Sequence, residues 1–181
     1  MANQEHLEIV REGAQSVSRW RENGPSQSKR LDLSSSVLSG LDLSNIDLSK
    51  DDLSHADLSK SDLRNSKLLY ANLIGVKLDD AILERSNLSG AVLKGATLVG
   101  ANLKGVKLDG AYVYRGDLSN VDLSGADLSG ANLGATNLIG SNLSRANLTE
   151  ANLSGANLLE ANLSGAYLWE ADVMGADLIR A

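Results

Sequence analysis

Ala151-Asn152-Leu153-Ser154-Gly155 is followed at once by Ala156-Asn157-Leu158, and this five-residue phrase recurs through most of the chain. From Leu33 to Leu178 every fifth residue is apolar: thirty positions, twenty-eight of them Leu, with Val113 and Val173 completing the row. Such a period matches neither regular element. On a helix the Leu row would spiral away from any one face, and on a strand an odd step would send alternate Leu to opposite faces. All thirty can point inward only if the chain turns a corner once per repeat.

The remaining positions agree with that geometry. Two residues before each Leu stands a mostly small side chain, Ala in sixteen of thirty repeats, and between the two lies Asp or Asn in twenty-one. The triplet reads in, out, in, which is a very short strand. The next two residues make the corner. Thirteen of the seventeen Gly fall at its second place, as do Asn45, Asn65 and Asn120. Gly and Asn tolerate the positive φ that the third residue of a type II turn requires. Ser, Lys, Arg and Glu at other corners predict a different turn type there. A repeat this strict defines a solenoid whose units contact mainly their neighbours.

The phrase resembles the A-(D/N)-L-x-x motif of the pentapeptide-repeat family, and the resemblance covers residues 31–181. It implies an all-β solenoid, a right-handed quadrilateral β-helix with four repeats per coil and about seven and a half coils in all. At ~4.8 Å per coil the rod is roughly 36 Å long. Leu ladders fill its axis, each buried side chain contributing about 2 kcal/mol before entropy is charged against it.

Residues 1–30 follow another pattern. Leu7, Val10, Ala14, Val17 and Trp20 form one stripe of a single amphipathic helix, with Asn3 able to cap its start and Asn23-Gly24-Pro25 to stop it. This gives two parts, an N-terminal capping helix and linker over 1–30 and the β-helix over 31–181. The helix is expected to lie across the first coil, where Leu31, Leu41 and Ile46 replace the usual small residue, and to plug an edge that would otherwise recruit another strand. Some bacterial members of the family, cyanobacterial ones included, also carry a helix leading into the repeats.

Composition narrows the function. Cys is absent, so thiolate metal sites and thiol nucleophiles are excluded. The two His, His6 and His55, stand apart from any triad or metal cluster, and the Gly are spaced by corners, not by a phosphate loop. No enzyme activity, cofactor or metal is expected. Net charge is −6, in bands of +1 (residues 1–30), −5 (31–62), +4 (63–115) and −6 (116–181). That balance does not favour direct nucleic-acid binding. No segment has the length or apolarity of a membrane span, and the cytoplasm is the expected location.

Departures from the pattern mark candidate surfaces. Leu159, Trp169, Met174 and Ile179 occupy the first corner position, where Ser is usual, with Tyr167 nearby. No cap comparable to the N-terminal helix follows the last repeat, so this collar is expected to join two copies tail to tail in a homodimer. Ile74, Val92, Tyr112, Tyr114 and Arg115 should stack on the outer wall at mid-rod. They form either a protein-docking patch or a wall-stabilising cluster. Asp51 is the one charged residue at an inward position. It either swings out or bonds to neighbouring backbone in a distorted wall, or it contacts a ligand together with His55.

The leading expectation is a rigid scaffold or regulator that binds a protein partner. The alternative comes from the resemblance: fluoroquinolone-resistance members of the family present acidic rods to DNA gyrase. Asp32, Asp42, Asp47, Asp52, Asp57 and Asp62, then Asp117, Asp122 and Asp127, could imitate phosphates here. Lys67, Lys77, Lys94, Lys104, Lys107 and Arg115 interrupt that surface at mid-length.

Overall fold

The computed structural model describes residues 2–23 and 30–181. Between residues 32 and 177 the outward Asp/Asn position of each repeat forms a parallel bridge with the residue twenty further on, from Asp32↔Asp52 to Asn157↔Asp177. Twenty residues therefore make one coil, and a period of five gives it four sides. Each side is held by a single bridge, since the chain has only three extended residues before the next corner.

The hydrogen bonds show why every position needs its residue type. From Leu33 to Leu158 each Leu-position N–H donates forward to the next coil, as Leu53 does to the Asn72 carbonyl at 2.8 Å, while the Asn72 N–H donates back to the Asp51 carbonyl at 2.9 Å. Within all corners but those after Leu38 and Leu118 the N–H three residues after Leu closes the turn on the Leu carbonyl, as Ala56 does on Leu53 at 3.0 Å. Inside, the Leu and Ala rows fuse into one continuous core. Ser36, Ser61, Ser86, Thr136 and Ser141 sit in it without strain, because each hydroxyl donates 2.7 Å to the Leu carbonyl three residues back.

The corners do not divide into two turn types. All thirty second-corner residues have φ between +53° and +70°, Lys60, Arg115, Ala135 and Glu150 no less than the Gly. The expectation of a separate turn at non-Gly corners is wrong, and the reason is collective. The second-corner N–H must donate to the next coil's corner carbonyl (Lys60 to Asp79, 2.9 Å), so stacking imposes the left-handed conformation on whatever residue stands there. The intrinsic cost is about 1–2 kcal/mol for an L residue.

The N-terminal part is also different from the expected single helix. It forms α1 (Gln4–Arg11) and α2 (Ala14–Asn23), which pack on each other. The break falls at Gly13, whose φ of +94° no helix accommodates. Asn3 caps α1 by accepting from the Glu5 and His6 N–H groups. The stripe itself survives the break: Leu7, Val10 and Val17 are buried in the common core, and Ala14 and Trp20 pack against it half-buried. The expected stop at Gly24-Pro25 lies outside the described residues.

Candidate interaction surfaces

The first coil presents backbone carbonyls toward the cap, and the cap answers with donors. The Asn3 N–H donates to the Asp32 carbonyl (3.1 Å), the Arg11 guanidinium to Val37 (3.5 Å) and the Arg21 guanidinium to Asp47 (2.9 Å). One backbone donor points the other way: the Asp32 N–H meets His6 Nδ1 at 2.9 Å. His6 also sets its ring edge-on to Trp20, 5.1 Å between centroids. Sequence reasoning found the apolar stripe but missed Arg11, Arg21 and His6, whose only signal was their place on the same short helices.

Asp51 belongs to this junction. It is fully buried, so it does not swing out. One carboxylate oxygen accepts the Leu31 N–H at 2.8 Å and the other pairs with Arg21 at 2.5 Å. Leu31 opens the first repeat and has no Leu three residues before it of the kind whose carbonyl closes later turns; the Asp51 carboxylate, one coil on, accepts its N–H instead. Burial pushes this carboxyl up to about 6, against the opposing pull of the Leu31 N–H and the Arg21 charge. His55 takes no part: it stands at a corner with its ring over Gly75.

At the opposite end no further layer lies over the last coil among the described residues. Tyr167, Trp169, Met174 and Ile179 are 62–75 % exposed, while Leu159 is half-buried. The inward residues of the last coil are exposed as well: Leu168, Val173 and Leu178 at 39–45 %, although the repeat marks them as core. With Leu153, Leu158 and Leu163 they line an apolar pit of about 350 Å³. The pit went unread in the sequence because a periodic pattern labels the last row like every other.

At mid-rod the register places Val92 against Tyr112 across one bridge. The Tyr112 and Tyr114 rings stack at 6.0 Å, Arg115 lies 5.1 Å from the Tyr114 ring centre, and Tyr114 covers Gly134. Ile74 and Tyr112 are exposed; Val92 is half-buried. All five residues of the expected patch therefore lie on the outer wall within a few coils.

The acidic rows acquire a structural job. In all nine Asp noted above, Oδ1 accepts the N–H two residues on, for example Asp57 from Ser59 at 3.0 Å and Asp127 from Ser129 at 3.1 Å. Asn does the same, as Asn152 does for Ser154 at 2.8 Å, so the position selects an acceptor oxygen, not a charge. Asn also donates its amide to the coil before it (Asn137 to Asp117, 3.0 Å). The N–H and hydroxyl of Ser59 hold the Asp57 carboxyl below its ordinary range, and the Arg64 side chain does so for Asp62.

Among the described residues no group of His, Cys and acids is placed to hold a metal, and no helix is long and apolar enough to cross a membrane. A four-sided parallel coil with an apolar axis and a cap at its N-terminal end defines the molecule as a β-solenoid. The chain belongs to the pentapeptide repeat family, whose model matches residues 52–85, 86–125, 126–158 and 156–181, and that membership implies a right-handed β-helix. No curated protein matches it. Among solved structures it is similar to QnrB1, a plasmid-mediated fluoroquinolone resistance protein (16 % identity over 80 % of this chain and 83 % of that one, TM-score 0.46). It is also similar to a pentapeptide repeat protein of the Arabidopsis thaliana thylakoid lumen (32 %, 51 % and 68 %, 0.43). A third is HetL, a pentapeptide repeat protein involved in heterocyst differentiation regulation from the cyanobacterium Nostoc sp. strain PCC 7120 (29 %, 92 % and 94 %, 0.32).

Proposed function

We propose that this protein is a non-enzymatic interaction scaffold of the cytoplasm, a rod of about seven and a half coils that self-associates through its C-terminal end. The observation that carries the reading is the continuity of two apolar features there. Tyr167, Trp169, Met174 and Ile179 ring a mouth formed by Leu168, Val173 and Leu178, and all seven are exposed. Exposed apolar surface that is contiguous, not scattered, marks an interface. A twofold axis through the mouth would bury it against a second copy and close the assembly at two chains. Static light scattering tests this: the wild type should weigh two chains and Trp169→Ser/Ile179→Ser one. Equal masses would remove the dimer from consideration.

The wall patch of Tyr112, Tyr114 and Arg115 is the proposed site for a different protein. Its aromatic faces and guanidinium offer contact area at low ordering cost. Tyr112→Ala/Tyr114→Ala should lose partners that wild type retains in affinity capture, with the fold and the self-association unchanged.

A second reading, DNA mimicry aimed at gyrase, draws on the outward carboxylates stacked one coil apart, such as Asp42 on Asp62. Because Asn keeps the turn acceptor, Asp→Asn changes remove charge without removing the corner bond. If the rod inhibits gyrase supercoiling and replacing the nine Asp by Asn abolishes the effect, mimicry replaces the scaffold reading. If wild type leaves supercoiling untouched, mimicry is excluded.

A further inference from the structure

Hydrogen bonding along the rod has a direction. Between any two interior coils, two N–H groups per repeat reach forward, that of Leu and that of the second corner residue, while one carbonyl, two residues before Leu, accepts from the coil ahead. The backward face is the complement, two carbonyls and one N–H per repeat. A cut through the rod thus exposes a donor-rich face on one side and an acceptor-rich face on the other.

Both faces exist at the ends of this molecule. In the last coil the N–H groups of Leu163, Leu168, Val173, Leu178 and of the second corner residue after each have no partner among the described residues. The first coil carries the acceptor-rich face, and the cap covers it: Asn3, Arg11 and Arg21 donate to its carbonyls and His6 accepts its Asp32 N–H. The apolar surfaces also match. Large residues, Leu31, Leu41 and Ile46, stand at the head, and the 350 Å³ pit opens at the tail. The two faces share one four-sided, twenty-residue period.

We propose that the surface beneath the cap fits the C-terminal face of a second copy, and that the cap is what prevents rods from stacking head to tail. This deepens, and rests on, the reading of the C-terminal end as a self-association surface. Two tails meeting bring donor against donor, so that contact depends on side chains and closes at two copies. A tail on an uncapped head continues the ladder and leaves the same two faces exposed again, so growth is open-ended. The cap acts as a terminator because it carries donors that a preceding coil would otherwise have supplied.

The test uses the full-length chain with Val10→Asp and Val17→Asp, which drives the cap out of the core. Sedimentation velocity over rising concentration should show mass growing severalfold past two chains, and electron micrographs should show filaments one rod wide. A variant that is folded by circular dichroism and keeps the wild-type mass at every concentration overturns the proposal. Adding Leu168→Lys and Val173→Lys to the uncapped chain should stop growth; growth that persists would be aggregation of the displaced cap and would equally overturn it. Should the Val10→Asp/Val17→Asp variant fail to fold, Val10→Ala with Val17→Ala, which loosens the cap's packing without burying a charge, decides by the same two outcomes. A wild type that weighs one chain counts against the twofold pair alone, because stacking is read only in the uncapped protein.

Discussion

At the head of the rod Leu33, Leu38, Leu43 and Leu48 lie wholly out of water in the core that Val10 and Val17 of the cap share; at the tail Leu168, Val173 and Leu178 are exposed. Leu33, Leu38, Leu43 and Leu48 hold the same place in the five-residue unit as Leu168, Val173 and Leu178, so nothing intrinsic to them separates the two ends. What differs is whether a further layer lies on the coil. Where it does, two arginines, the Asn3 N–H and one imidazole bond to backbone groups of Asp32, Val37 and Asp47, and a carboxylate completes the turn the repeat cannot close. Where it does not, a core row becomes a surface. A solenoid residue takes its role from its neighbours above and below more than from its own identity.

The sharpest way to break this comparison is to place one charge in an interior row and one in the terminal row. Leu103→Asp should prevent folding, since an unpaired carboxylate would enter a dry column at a cost of more than ~4 kcal/mol. Leu178→Asp, half in water already, should cost about 1 kcal/mol and leave the urea midpoint nearly unchanged. If the two variants unfold alike, the terminal row is not open.

At the head, Asp51 makes cap docking depend on pH. Its carboxyl ionises at about 6 when folded, above the ordinary 3.8, so the folded state holds the proton more tightly. The resulting stabilisation is fully present below pH 3.8 and is lost as pH rises through 6, a change on the order of 3 kcal/mol. The protection factor of the Leu31 N–H, with the intrinsic pH dependence of exchange divided out, should fall over that window. Asp51→Asn, which retains an oxygen for Leu31, should flatten the profile. The outer carboxylates run the other way: those of Asp57 and Asp62 are held low, and their contribution is present above the ordinary carboxylate pKa and lost as pH falls.

Smaller changes refine the account of the wall. Asp57→Ala should lose about 1 kcal/mol and Asp57→Asn less, because Asn keeps the acceptor for the Ser59 N–H and gives up only the charge that strengthens it. Ala135→Gly should gain about 0.5–1 kcal/mol by relieving the left-handed strain at φ +53°. Thermal unfolding resolves both. A neutral Ala135→Gly would mean that the lost rigidity of the unfolded chain offsets the relieved strain.

Much of this molecule was legible before any coordinates. A five-residue period with Leu, Asp or Asn, and Gly in fixed places admits one geometry, a corner per repeat around an apolar axis, because no helix or strand can keep those Leu on one side. The stripe from Leu7 to Trp20 likewise identified the cap's buried face. Tertiary contacts decided the rest. Coil stacking forces one turn on every corner, whatever its residue, and Gly13 splits the cap into α1 and α2. The absence of a preceding repeat gives Asp51 its place, and position in the stack, not residue type, makes the last Leu row a surface. Local preferences select the unit, and hydrogen bonds between residues twenty apart select what each copy of the unit becomes.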